Sequence, residues 1–342
     1  VRRFLLLVAA LATVTGAMLG GGAWWLDRQW HAPLTPNAPR DMVVNIAPGS
    51  SLRTTSSQLT SNGIIRSARQ FEWLGRWQKQ ASQIKPGEYQ LGPGMTPSEV
   101  LSAMVAGNVL LHPVTLPEGL TVAETVTRLV AAGFGTKADY AQLLTDPARI
   151  REHNITGSGV KVPYEGYLFP DTYHFERGTP AKAVIDAMVG RLEAAFTPGR
   201  NSQMKKMGWD RHRVLTLASL IEKETALAAE RPRVSAVFHN RLKRRMRLQT
   251  DPTVIYATPN YDGDIRAKDL RRDDPYNTYR RHGLPPGPIA APGEAAIDAA
   301  LFPAANRPTQ ELYFVSRGDG SHVFSGNIND HNRAVKRFQL RR

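Results

Sequence analysis

Between Phe4 and Trp25 the sequence carries no charged residue, and no other feature restricts the backbone as much. About 20 apolar residues in a helix suffice to cross a hydrocarbon core, so this run predicts a transmembrane anchor over 4–25. Trp24 and Trp25 stand where an interfacial aromatic belt would lie, just before Asp27 and Arg28. Arg2 and Arg3 precede the run. By the bias of basic residues toward the cytoplasm, residues 1–3 are expected inside and everything from about 26 onward outside, on a single-pass protein of the inner (cytoplasmic) membrane. A cleaved signal peptide is the alternative, since Gly16-Ala17 and Gly20 to Ala23 are small enough to be cut. Its apolar region normally runs only about 7–15 residues, and the length and the tryptophan pair favour a retained anchor.

The 342 residues suggest about two domains. A net charge of +14 favours an anionic partner. A periplasmic or extracytoplasmic location removes nucleic acid from the candidates and leaves anionic lipid or an acidic polymer. The absence of cysteine excludes Cys lipidation, disulfides and thiolate chemistry.

Pro33, Pro36 and Pro39 make residues 26–41 an extended linker. Three similar segments follow: Val43 to Leu52, Tyr89 to Thr96 and Val114 to Thr121. Each reads as a short alternating strand, a Pro/Gly turn, a Ser or Thr able to cap, and a helical stripe. Ile64 to Gln78 is helical by spacing, and Phe71, Trp73, Leu74 and Trp77 are expected in its core. Residues 42–112 thus form a small βα module resembling the LysM-type modules that bind cell-wall glycans. Residues 113–342 form a mixed α+β domain, and the predicted class of the whole chain is α+β.

In the segment Leu215 to Ala229, the residues Leu217, Leu220, Ile221, Glu224 and Ala228 follow helical spacing. Glu224 therefore shares the face of the leucines, while Glu222 is turned roughly 160° away. A carboxyl group held against apolar side chains has its charged form disfavoured, so it can carry a proton near neutrality and act as a general acid. A buried structural ion pair is the competing reading. A second helix is expected to begin at Pro232.

Loops with more polar and aromatic residues than connection requires could surround the acid: Pro163 to Tyr173, Arg247 to Thr253, Tyr276 to Tyr279 and Gly283 to Ile289. Taken singly, each could be purely structural, Asp171 and Asp251 serving only to begin turns. The sequence lacks HExxH, a phosphate-binding Walker loop, GxSxG and a dinucleotide fingerprint. His322 and His331 match no common zinc spacing, so no metal or cofactor is expected.

The motifs Glu165 to Tyr173, Ala218 to Ala226, Val237 to Leu242, Met246 to Tyr256, Tyr276 to Tyr279 and Gly283 to Ile289, in this order, resemble the membrane-anchored endolytic murein transglycosylases, the MltG or YceG-like family. His239 within the Phe-His-Asn-Arg motif and Arg271-Arg272 are departures from the pattern. The resemblance places the catalytic Glu within Glu222 to Thr225. Lytic transglycosylases carry a Ser or Thr directly after the acid, which selects Glu224-Thr225, with Glu222 and Thr225 as supporting candidates. It also implies substrate-binding or orienting roles for Glu165, Tyr167, Asp171, Asn240, Gln249, Thr250, Asp251, Asn277 and Tyr279. The implied substrate is the peptidoglycan glycan strand, cut at the β-1,4 bond between N-acetylmuramic acid and N-acetylglucosamine to leave 1,6-anhydro ends. Cell-wall synthases are implied as further partners. A hydrolytic muramidase using the same acid and a non-catalytic cell-wall scaffold are the alternatives.

Overall fold

The computed structural model describes residues 2–305 and 310–340, with side chains from residue 10 onward. The chain divides into two compact units, Val1–His112 with His174–Arg177, and Pro113–Tyr173 with Gly178–Arg342. The architecture is mixed α+β, with small two-stranded sheets among many helices.

The first unit begins with helix α1 (Arg2–Trp30). Among the described residues no helix is long and apolar enough to cross a membrane. The first residues of the predicted span, 4–9, lie outside those whose side chains are described. Strand β1 (Met42–Ile46) is followed by helices α2 (Leu52–Ser61) and α3 (Ala68–Trp77), strand β2 (Gly87–Leu91) and helix α4 (Pro97–Ala106). The strands pair antiparallel with Val44 opposite Tyr89. Their alternation sends Val44, Ile46, Tyr89 and Leu91 into one core with Leu59, Phe71, Leu74 and Met104. The predicted caps are in place: Ser51 accepts from Thr54 N–H, and Thr96 forms a reciprocal box with Glu99.

Two expectations fail here. The helix predicted from Ile64 starts only at Ala68, because Ser67 accepts the Gln70 N–H and caps it, while Ile64 and Ile65 are buried ahead of it. Phe71 and Leu74 do enter the core, but Trp73 and Trp77 are 65% and 77% exposed. They occupy the opposite face of the same helix, since each stands two residues, roughly 200° of turn, from the buried Gly75.

Strand β3 (Leu111–Leu116) pairs with β4 (Asp171–Glu176). Between them lie α5 (Val122–Ala131), α6 (Lys137–Thr145) and α7 (Pro147–Glu152). The remainder of the second unit is α8 (Ala181–Ala195), α9 (Pro198–Lys206), α10 (Arg211–Glu224), α11 (Arg231–Lys243), α12 (Asp251–Ala257), α13 (Ala267–Leu270), α14 (Glu294–Leu301), the hairpin β5 (Tyr313–Ser316) and β6 (His322–Ser325), and α15 (Ile328–Phe338). Helix α10 is central: every residue from Val214 to Ile221 is buried, and it packs on α14, α11 and α12. It ends at Glu224, five residues short of the predicted Ala229. Thr225 takes an extended conformation, and its Oγ1 accepts the Leu227 N–H at 3.1 Å, turning the chain. Ala228, assigned to the apolar stripe from sequence, therefore lies outside the helix in a short 3₁₀ turn. Helix α11 then starts with Pro232 in its first turn, as predicted.

Candidate active site

Ending α10 at Glu224 puts the carboxyl group at a helix terminus, half-buried, where two clefts of the second unit share it as a wall. One cleft, of about 420 Å³, is lined by Gln249, Asp251 and Tyr279 on one side and by the β5–β6 hairpin and α15 on the other. The second, of about 640 Å³, lies between the Pro117–Gly119 loop and the segment Glu222–Ala226 with Arg231.

Burial pushes the Glu224 carboxyl up to about 7, and the neighbouring Asp251 charge adds to the rise. Three groups pull the other way: the Thr250 hydroxyl, then His322 and Arg241. Thr250 Oγ1–H donates directly to Glu224 Oε2. A network holds that hydroxyl in place. Thr250 N–H donates to Thr278 Oγ1 at 3.1 Å, and the Thr253 and Thr278 hydroxyls meet at 2.8 Å. Gln249 N–H donates to Thr278 O at 3.2 Å. Gln249 itself holds φ at 48°, a left-handed conformation that a side-chain-bearing residue keeps only where its surroundings impose it. Tyr279 O–H donates to Asp251 Oδ1 at 2.6 Å.

The fold thus gathers Glu224, Gln249, Thr250, Asp251 and Tyr279, and separates them from the other residues singled out in the sequence. Thr225 is buried behind the acid. Glu222 does turn away from Glu224, but toward protein: its side chain is 6% exposed, pairs with Arg231 at 2.9 Å and accepts the Gly293 N–H at 3.1 Å. Glu165 accepts from Val122 N–H at 3.0 Å and Tyr256 O–H at 3.1 Å, beside a different, largely apolar cleft. Burial raises its carboxyl to about 7 as well. Tyr167 is a core residue whose hydroxyl meets His212 Nδ1 at 3.0 Å. Asp171 is engaged by Arg191 Nε at 2.7 Å. Asn240 donates to Glu311 O and accepts from Gln310. The Asn277 amide donates to the carbonyls of Asp269, Leu270 and Arg272, so it staples the loop that carries Thr278 and Tyr279.

The hairpin wall was not selected from sequence. It supplies Tyr313, Phe314, Ser316 and His322, with His331 from α15 and Arg241 from α11. His322 Nδ1 meets Glu230 Oε2 at 2.7 Å. His331 stacks on Tyr313 with ring centroids 5.2 Å apart; its Nδ1 is buried and has no partner among the described residues. Among the described residues no cluster of three or more His, Cys, Asp or Glu is arranged to hold a metal.

The family model described as YceG-like family matches residues 44–337. A Bacillus subtilis protein named endolytic murein transglycosylase is 33% identical over 330 residues, spanning 93% of this chain and 90% of the relative. A Streptococcus pneumoniae protein of the same name is 29% identical over 89% of this chain, which spans only 59% of that longer relative. The crystal structure of a yceG-like protein from Listeria monocytogenes superposes with a TM-score of 0.60 at 33% identity, covering 86% of this chain and 98% of that one. The chain belongs to the YceG-like family.

Proposed function

We propose that this protein is an endolytic murein transglycosylase, the activity named for its Bacillus and Streptococcus relatives, with Glu224 as its acid. The observation that carries the reading is the position of Glu224: a carboxyl poised near neutrality at the meeting of two clefts. Cutting inside a polymer needs room for sugars on both sides of the bond, and a proton for the leaving oxygen.

Glu224 gives its proton to the glycosidic oxygen as the C1–O bond breaks, and the substrate's own acetamido group shares the positive charge at C1. The carboxylate, still held by the Thr250 hydroxyl, then takes the proton from the C6 hydroxyl as O6 bonds to C1. The acid is regenerated, no water is consumed, and a 1,6-anhydro end remains. One carboxyl thus does the work that ordinary glycosidases divide between two. Gln249, Asp251, Tyr279 and the hairpin wall orient the strand, a contribution that orientation can make large.

Mass spectrometry of digested glycan tests the reading. Lytic cleavage gives ends lighter by one water than hydrolysis; hydrated ends would assign a muramidase instead, and no cleavage a binding scaffold. A second expectation follows from the charge balance. Because Glu224 must enter protonated, kcat/KM should fall as pH rises through about 7. The Thr250 hydroxyl stabilises the carboxylate, so Thr250→Val should raise the pKa and move this limb to higher pH. A limb unmoved, or moved down, sinks the assignment of Glu224.

The uncharged run 4–25 supports a single-pass anchor that leaves both units outside the cytoplasm. The β1–α2–α3–β2 order with antiparallel strands supports a LysM-like, glycan-binding role for residues 42–112.

A further inference from the structure

Helix α3 buries Phe71, Leu74 and Gly75 and turns a different set outward. Arg69, Trp73, Arg76 and Trp77 fall at i, i+4, i+7 and i+8, one stripe, and all four are exposed. Indoles more than 60% exposed are costly to leave in water. The sole acidic residue of the helix, Glu72, has 18% of its side chain exposed and lies 3.6 Å from Arg76, so it offsets one of the two guanidinium groups and leaves the helix face a net positive charge. It also continues into the end of α1: the Trp77 ring lies 6.5 Å from that of Trp30. One to two turns back along α1, Trp24 and Trp25 are exposed, and Arg28 stands 5.4 Å over the Trp24 ring.

Indole rings favour the headgroup level of a bilayer, where an apolar body and an N–H are both accommodated, and guanidinium groups are drawn to anionic headgroups. We infer that the Arg69–Trp73–Arg76–Trp77 stripe docks on the surface of an anionic phospholipid bilayer, beside the point where α1 leaves it. The inference rests on the anchored reading of α1. Its consequence is positional: the first unit is held against the membrane through a second attachment besides the span.

The chain has no cysteine, so single labels can be placed without background. Trp73→Cys, Trp77→Cys and, as a control on the exposed side of α2, Ser57→Cys would each be labelled in the full-length chain with a polarity-sensitive fluorophore. The labelled chains would then be reconstituted into phosphatidylcholine vesicles with or without phosphatidylglycerol, containing nitroxide lipid. Labels at 73 and 77 should be quenched about twofold or more beyond the label at 57, more strongly with phosphatidylglycerol and less at high salt. Equal, water-like behaviour at all three positions overturns the inference. So does protection by added glycan strands but not by lipid, which would make the stripe a sugar platform. Alkaline extraction separates the two readings. A chain that stays in the membrane without quenching at 73 and 77 keeps the anchor and loses the docking surface. A chain that is extracted, yet shows that quenching when mixed with vesicles, loses the anchor and keeps the surface.

Discussion

Glu224→Gln is expected to abolish glycan cleavage and, at alkaline pH, to make the folded protein more stable. The amide keeps the shape of the side chain and can still accept the Thr250 hydroxyl, but it has no proton to give. Loss of general acid–base help alone is worth about 10²–10⁴ in rate, or roughly 3–5 kcal/mol. The gain in stability comes from the same burial that creates the acid. The carboxyl titrates at about 7 in the folded chain against 4.5 ordinarily, so between those values the folded state binds more protons than the unfolded one. Its favourable contribution is complete below about pH 4.5 and disappears as pH rises through about 7, a cost of about 3 kcal/mol. A glutamine does not titrate, so the variant's Tm should exceed the parent's at pH 8 and the gap should close toward pH 4.5. Glu222→Gln provides the contrast. Its side chain serves Arg231 and Gly293 rather than the cleft acid, so cleavage should survive it. Full activity in Glu224→Gln, or a larger loss in Glu222→Gln, would move the chemistry to another residue.

Helical phase made Glu224 legible because it is a local property: a carboxyl at i+3 from Ile221 and i+4 from Leu220 shares their side whatever the rest of the chain does. The same phase misjudged what lies opposite. Glu222 was expected merely to face away, yet α10 is enclosed on all sides, and away from the stripe meant toward Arg231. Trp73 and Trp77 were misread for a related reason. A tryptophan in a helix is usually core, but in α3 the inward face was already filled by Phe71 and Leu74.

Motif position had a different weakness: it cannot separate a side chain that meets substrate from one that shapes the loop carrying it. Thr250, Asp251 and Tyr279 reached the acid, whereas Asn277, one or two residues from such groups, spends its amide on three carbonyls. The hairpin itself is legible, two short apolar runs either side of the turn Arg317 to Gly320, but nothing local marks it as a wall of the acid's cleft. Tyr313 and His322 stand about a hundred residues from Glu224, and only the packed fold brings them opposite it.

Arg241→Met should be the most disruptive change that leaves the acid itself untouched. Arg241 is 8% exposed. Its Nε–H donates to Leu312 O at 2.7 Å and its Nη1–H to Leu248 O at 2.6 Å, fastening α11 to both walls of the cleft at once. The guanidinium also lies 5.3 Å from the Tyr313 ring centroid. Methionine retains the apolar stem but leaves two buried carbonyls without a donor, each costing about 1–3 kcal/mol, partly offset because a desolvated charge is gone. A net loss of about 3 kcal/mol corresponds to a Tm lower by about 6–12 °C for a unit of this size. Charge and geometry can then be told apart. Arg241 is one of the groups holding the Glu224 carboxyl down, so in the methionine variant the decline of kcat/KM should move to higher pH. Arg241→Lys keeps the charge but not the planar fork, and should lose stability while that decline stays nearer its original place. If Arg241→Met melts with the parent, the guanidinium does not clamp the two walls. If it melts early but the pH limb does not move, the cation holds the cleft together without tuning its acid.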